Sequence, residues 1–207
     1  MINKILLTIL IIIYSSLTFS DEAISVSTEL RKSDIEFYSQ SNAGRLITCG
    51  VEFSGIDKDL NYFSGSYSVL YLGNGDISPI FKLKSMTING SNDIKKNKLK
   101  SIWLKSPNYS TLSTSWFSKQ SDESIISATD NPDEGIKLYI DITKGEEIKI
   151  GYLRENSVID SVYMLKTYPN TNIEKAKDCL MSIIQEANKD IKANNTLKRK
   201  DSRLRSR

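Results

Sequence analysis

Short runs in which every second side chain is apolar recur along most of this chain, the period that a strand with one buried face imposes. Ile24, Val26, Thr28 and Leu30 alternate with polar residues, and Ile35 with Phe37 makes a shorter second run. Ile47, Cys49, Val51 and Phe53 share one face of the next, which points Cys49 inward. From Tyr62 to Leu72 the residues Phe63, Gly65, Tyr67, Val69 and Tyr71 lie on one face, and Gly73-Asn74-Gly75-Asp76 then supplies the positive-φ positions of a tight hairpin. The return strand runs from Ile80 to about Ile88, where a shift of apolar parity between Leu83 and Met86 predicts a bulge or bend near Ser85.

Behind it a polar loop, Asn89 to Asp93, runs into Lys95, Lys96, Lys98 and Lys100 and reads as solvated. No periodicity organises Ser101 to Phe117. After a turn at Asn131-Pro132-Asp133-Glu134-Gly135, strict alternation of Ile136, Leu138, Ile140 and Ile142 predicts another strand. Ile148, Ile150 and Tyr152 predict the next, paired with Val158 to Leu165 through a turn at Glu155-Asn156.

The period then changes from two to between three and four. Thr171-Asn172-Ile173-Glu174 fits a capping box, and Ile173, Ala176, Leu180, Ile183 and Ala187 form one apolar helical stripe bordered by Cys179 and Ile184. The expected fold is therefore all-β, an antiparallel sandwich or partly closed barrel of about eight strands, with one C-terminal helix over about 172–190 packed on it. Residues 193–207 carry almost no apolar side chains and are expected to form a basic disordered tail.

At the other end, Lys4 precedes an apolar stretch from Ile5 to Ile13 and then small polar residues, the three regions of a secretory signal peptide. Thr18 and Ser20 suit cleavage before Asp21, so residues 1–20 are expected to be a signal and 21–192 a single exported domain, periplasmic or secreted. An uncleaved anchor is the competing reading, although the stretch is shorter than the ~20 residues a spanning helix needs. The chain has two cysteines, Cys49 and Cys179. In an oxidising compartment an isolated pair is expected to form a disulfide, here between the third strand and the helix, with two buried thiols as the alternative.

The 207 residues include no histidine, which removes Ser-His-Asp and Cys-His catalysis and metal sites that depend on imidazole. No Ser-x-x-Lys, phosphate-binding glycine loop or dinucleotide motif occurs, and neither a cofactor nor a metal is expected. Paired carboxylates remain chemically open, with Asp57, Asp59, Asp130, Asp133 and Glu134 in turn-like segments. Acidic turns also arise from solubility and turn chemistry alone, and no spacing selects a pair.

Trp103, Tyr109, Trp116 and Phe117, set among Ser, Thr and Asn, form the candidate recognition surface. The competing reading puts both tryptophans at one end of a sandwich core. Charge is unevenly placed: from Lys189 onward eight bases face Asp190 and Asp201, while residues 21–188 are net acidic. Lys198, Arg199, Lys200, Arg203, Arg205 and Arg207 are thus candidates for weak contact with an anionic surface. The expected role is a non-enzymatic binding or assembly protein for an envelope or extracellular protein or glycan, not nucleic acid. A carboxylate-dependent hydrolase of envelope glycans is the alternative.

The closing hairpin GEEIKIGYLRENSVIDSVYML and the capped final helix resemble, in pattern, small secreted all-β proteins of the invasion-associated locus B type. The resemblance spans the last third of the chain and carries no functional residue across.

Overall fold

The computed structural model describes residues 24–89, 93–111, 116–129, 131–166 and 172–205. The expected signal segment, Asp130, Thr171 and Arg207 lie outside the described residues. Among the described residues, eleven strands and two helices follow in the order β1 (Ile24–Thr28), β2 (Leu30–Asn42), β3 (Arg45–Asp57), β4 (Asn61–Gly73), β5 (Asp76–Ile88), β6 (Ile94–Asn97), β7 (Leu99–Lys105), β8 (Trp116–Lys119), β9 (Ile125–Ala128), α1 (Pro132–Lys144), β10 (Glu147–Arg154), β11 (Ile159–Lys166) and α2 (Asn172–Arg205). The fold is mostly β and sandwich-like, with two open sheets and no closed barrel.

The larger sheet has the order β2-β3-β4-β5-β9-β8, with β6 also paired to β5. Its four long strands form an antiparallel meander, and the β4–β5 hairpin turns through Gly73, Asn74 and Gly75, all at positive φ. The smaller sheet has the order β1-β11-β10-β7. Its β1–β11 pair is parallel, a departure from the all-antiparallel expectation that follows from the chain crossing from one sheet to the other after Thr28.

Odd-numbered residues of β3, β4 and β5 face the core, and Cys49, Val51, Phe53, Phe63, Tyr67, Val69, Phe81 and Leu83 are buried there. These strands are long enough for one face to carry two covers. Near Asp57, Phe63 and Ser85 the cover is the small sheet: the Phe63 and Tyr163 rings lie 4.7 Å apart, and Ser85 Oγ donates to the Tyr152 hydroxyl at 3.0 Å. Near Cys49, Tyr67 and Tyr71 the cover is the helix pair. Cys49 and Cys179 are joined there with their Cα atoms 5.8 Å apart, and the Tyr67 hydroxyl donates to the Gly135 carbonyl at 3.0 Å.

Two local expectations are corrected. Residues 132–144 form helix α1, not a strand: Asn131 caps it by accepting from the Glu134 amide, Pro132 opens it, and Gly145 closes it in the left-handed region at φ 87°. Gly135, Leu138, Tyr139 and Ile142 are buried along with Asp141 and Thr143, a helical spacing that the alternating isoleucines masked. No bulge interrupts β5 at Ser85, because its register with β4 runs unbroken from Thr87 to Ile77. The apolar parity shifts there because Ser85 is a polar residue on the buried face, held by Tyr152.

Helix α2 docks through Ala176, Cys179, Leu180, Ile183 and Ala187, all buried. Its backbone stays helical to Arg205, past the end expected near 190. Residues 193–205, part of the stretch expected to be a disordered tail, continue the helix, and their lysines, arginines and leucines are good helix formers. Asn194 Nδ2 still donates to the Asn74 carbonyl at 3.4 Å, and the residues beyond it continue past the β4–β5 turn.

Candidate functional site

Over part of the large sheet the even-numbered residues of β2 to β5 point away from the core and are exposed or half-buried, whereas Thr48 and Ser68 farther along are buried. Here Asp34, Glu36, Glu52, Ser54, Tyr62, Ser64, Ser66, Lys82, Lys84 and Asp122 line a shallow groove with a cavity volume of about 430 Å3. Register explains the arrangement. One row runs Glu36, Glu52, Ser66, Lys82 across four strands, and the next runs Asp34, Ser54, Ser64, Lys84.

Carboxylates therefore stand on the β2–β3 side and ammonium groups on β5. With strands about 4.8 Å apart, the two banks are separated by roughly 10 to 15 Å. Between them the floor is serine, with side chains short enough to let a ligand reach the sheet. Gly65 lines the groove by its backbone alone: a Cβ there would point into the core, 2.8 Å from the Phe53 ring, and would sit 2.3 Å from the Lys82 carbonyl.

Glu36 and Glu52 are directly paired across the ladder. Like charges in that position destabilise a sheet. Neither carboxylate has a hydrogen-bond or ion-pair partner among the described residues, and a local rule broken without compensation is characteristic of binding sites. Glu52→Gln is accordingly expected to raise the melting temperature slightly, by about 0.5 kcal/mol of stability, while weakening whatever the groove holds. Thermal melts of the two proteins at low salt check the first half.

At one end Lys82 lies 3.5 Å from Asp122. The Asp122 carboxyl is held down to about 2, first by the Ser124 hydroxyl and then by the Ser124 amide and Lys82, against the opposing effect of burial. A depressed value means the stabilising contact is present above the ordinary carboxyl range and is lost as pH falls through about 2. Ser124→Ala should move the Asp122 titration upward in a carboxyl-resolved NMR titration, and an unchanged midpoint would show that Ser124 does not hold it.

Beneath the other end of the large sheet lies a closed polar ring. Asp57 Oδ1 accepts from the amides of Asp59 and Asn61, both at 2.9 Å, and Oδ2 accepts from Asn61 Nδ2 at 3.0 Å and the Tyr163 hydroxyl at 3.1 Å. Tyr163 meets Tyr152 at 3.2 Å, Tyr152 accepts from Ser85, and Asn97 with Thr87 leads back to Asn61. Burial, reinforced by Tyr152 and Asp57, pushes the Tyr163 phenol well up, so it stays protonated and donates. Four donors saturate Asp57, which makes it a structural group. Asp59 lies in the same turn, and Asp133 and Glu134 occupy the first turn of α1, where they favour the helix dipole.

Of the four aromatics proposed from sequence, Trp103, Tyr109 and Phe117 lie on different parts of the fold. Trp103 lies on the outer face of the small sheet, flat against Gly151, and its Nε1 donates to Asp160 Oδ2 at 3.1 Å. Tyr109 packs against the core beside α1, with Lys137 Nζ 5.8 Å from its ring centroid. Phe117 is exposed on edge strand β8, and Trp116 takes its place there opposite Ala128. In the basic tail, Lys198, Arg199, Lys200, Arg203 and Arg205 fall on the last turns of α2, remote from the groove's strands in the chain.

The groove residues escaped sequence reasoning because they sit on the polar parity of four strands. Their signal was nonetheless present: that parity is acidic at 34, 36 and 52 and basic at 82 and 84. No protein-family model, curated protein or solved structure matches the chain.

Proposed function

We propose that this is an exported, non-catalytic binding protein whose ligand lies along the outer groove of the large sheet. The unpaired carboxylates of Glu36 and Glu52, set across a serine floor from Lys84 and from Lys82 with its partner Asp122, carry this reading. A chain bearing both amino and carboxyl groups on hydroxyl-rich units, such as an envelope or extracellular glycan with charged substituents, meets complementary charge on each bank. The serines offer it short hydroxyl donors and acceptors. Export is supported by the leader-like N-terminal sequence and by the cysteine pair joining β3 to α2. No helix among the described residues is long and apolar enough to cross a membrane.

The facing pair Glu36 and Glu52 is the observation that favours hydrolysis instead, since retaining glycosidases place two carboxyls about 5 Å apart. A general acid, however, needs apolar surroundings that keep it protonated. Here Glu36 and Glu52 are both exposed, and serines and charged side chains outnumber the aromatic neighbours Phe53 and Tyr62. Titration calorimetry with charged glycan fragments, run alongside analysis for newly exposed reducing ends, separates the readings. Binding without cleavage, reduced at least tenfold in Lys82→Glu/Lys84→Glu, is the expected result. Cleavage abolished by Glu36→Gln or Glu52→Gln would replace the binder with the enzyme.

A further inference from the structure

At the opposite end of β5 from the α2 tail, β6 and the β10–β11 turn enclose a second cavity of about 570 Å3. Lys95, Lys96, Lys98 and Arg154 line it, along with Asn156, Ser157 and Ser161. Its one acid, Glu155, is occupied by Lys119. The Glu155 amide donates to the Lys98 carbonyl at 2.9 Å, which fixes the two basic segments beside each other. Arg154 donates to Asn61 through Nη2, but its Nε is buried and has no partner. Arg154 itself lines the cavity, and a guanidinium held by Asn61 adds a positioned cation that suits an anionic oxygen.

Apolar side chains adjoin the same segments. Ile94, next to Lys95, is 59% exposed; Val158 and Ile159, next to Ser157, are 82% and 41% exposed. Large apolar residues that protrude beside a cluster of lysines suit a water–lipid interface, where the apolar groups enter the headgroup layer and the bases meet phosphate.

We propose that this end of the molecule docks on an anionic lipid surface, with one phosphodiester head group among Lys95, Lys96, Lys98 and Arg154, and with Ile94, Val158 and Ile159 in the interfacial layer. This contact shares no lining residue with the outer groove. It is also separate from the basic end of α2: residues of β5 from Asp76 to Ile88 span about 40 Å between the turn beside Asn194 and the strand that pairs with β6. A flat membrane met by one end therefore does not meet the other.

The test uses the chain from Asp21 and co-sedimentation with vesicles of phosphatidylcholine, with and without phosphatidylglycerol. Binding is expected only with phosphatidylglycerol, weakening as salt rises. Lys95→Gln/Lys96→Gln/Lys98→Gln changes exposed side chains alone and should weaken partitioning roughly a hundredfold, at the usual contribution per lysine near an anionic surface. Val158→Ser should weaken it severalfold while leaving the fold intact by circular dichroism. Truncation after Asn194 should leave it unchanged. Partitioning that survives the triple substitution, or that disappears on truncation, overturns the proposal. So does a protein that ignores the vesicles but binds glycerol phosphate in solution.

Discussion

Replacing both Cys49 and Cys179 with serine should lower the melting temperature by roughly 8 to 16 °C, equivalent to about 4 kcal/mol for a domain of this size. The bond spans 130 residues, so its loss releases most of the chain's loop-closure entropy into the unfolded state. It also frees α2 from the buried centre of β3. The helix keeps its apolar stripe and the contacts of Arg45 with Asp190 at 3.1 Å and of Tyr71 with the same carboxylate, so it should loosen but remain helical. Differential scanning calorimetry with and without reductant gives the comparison. An unchanged midpoint would mean that packing alone holds the helix.

Asp57→Ala should cost about 3 kcal/mol, or roughly 6 to 12 °C in melting temperature, because it removes at once the acceptor of the buried Tyr163 hydroxyl, of the half-buried Asn61 amide groups and of the Asp59 amide. Asp57→Asn keeps the shape and one acceptor oxygen and should cost less. Both variants, held well below their midpoints, should bind groove ligand as the parent does. A binding defect in a folded Asp57 variant would move the functional centre from the outer groove to the polar ring between the sheets.

Strands and turns were legible wherever one face is apolar and glycine marks the corner, as in β4, β5 and the hairpin between them. The cysteine pairing followed from the same parity, since Cys49 shares the inward face of Val51 and Phe53 while Cys179 borders the helical stripe. Helix α1 was not legible by alternation because Ile136 and Ile140 pack partly against the core beside the true buried positions. The cap signals at Asn131, Pro132 and Gly145 were the better guide. The groove was hidden for a different reason. Its rows form only when four strands are set in register, and register is a long-range property that a single strand's pattern does not contain. Trp103 shows the same limit: its place on the outer face depends on Gly151, 48 positions later, leaving room for the ring.

The most direct test of the groove is a backbone-amide NMR titration of the chain from Asp21 with glycan fragments bearing both amino and carboxyl groups. Shifts are predicted to cluster at Glu36, Glu52, Ser54, Ser64, Ser66, Lys82 and Lys84, and to vanish in Lys82→Glu/Lys84→Glu. Shifts centred on Trp103, Tyr109 and Phe117, with the groove residues unmoved, would contradict the account.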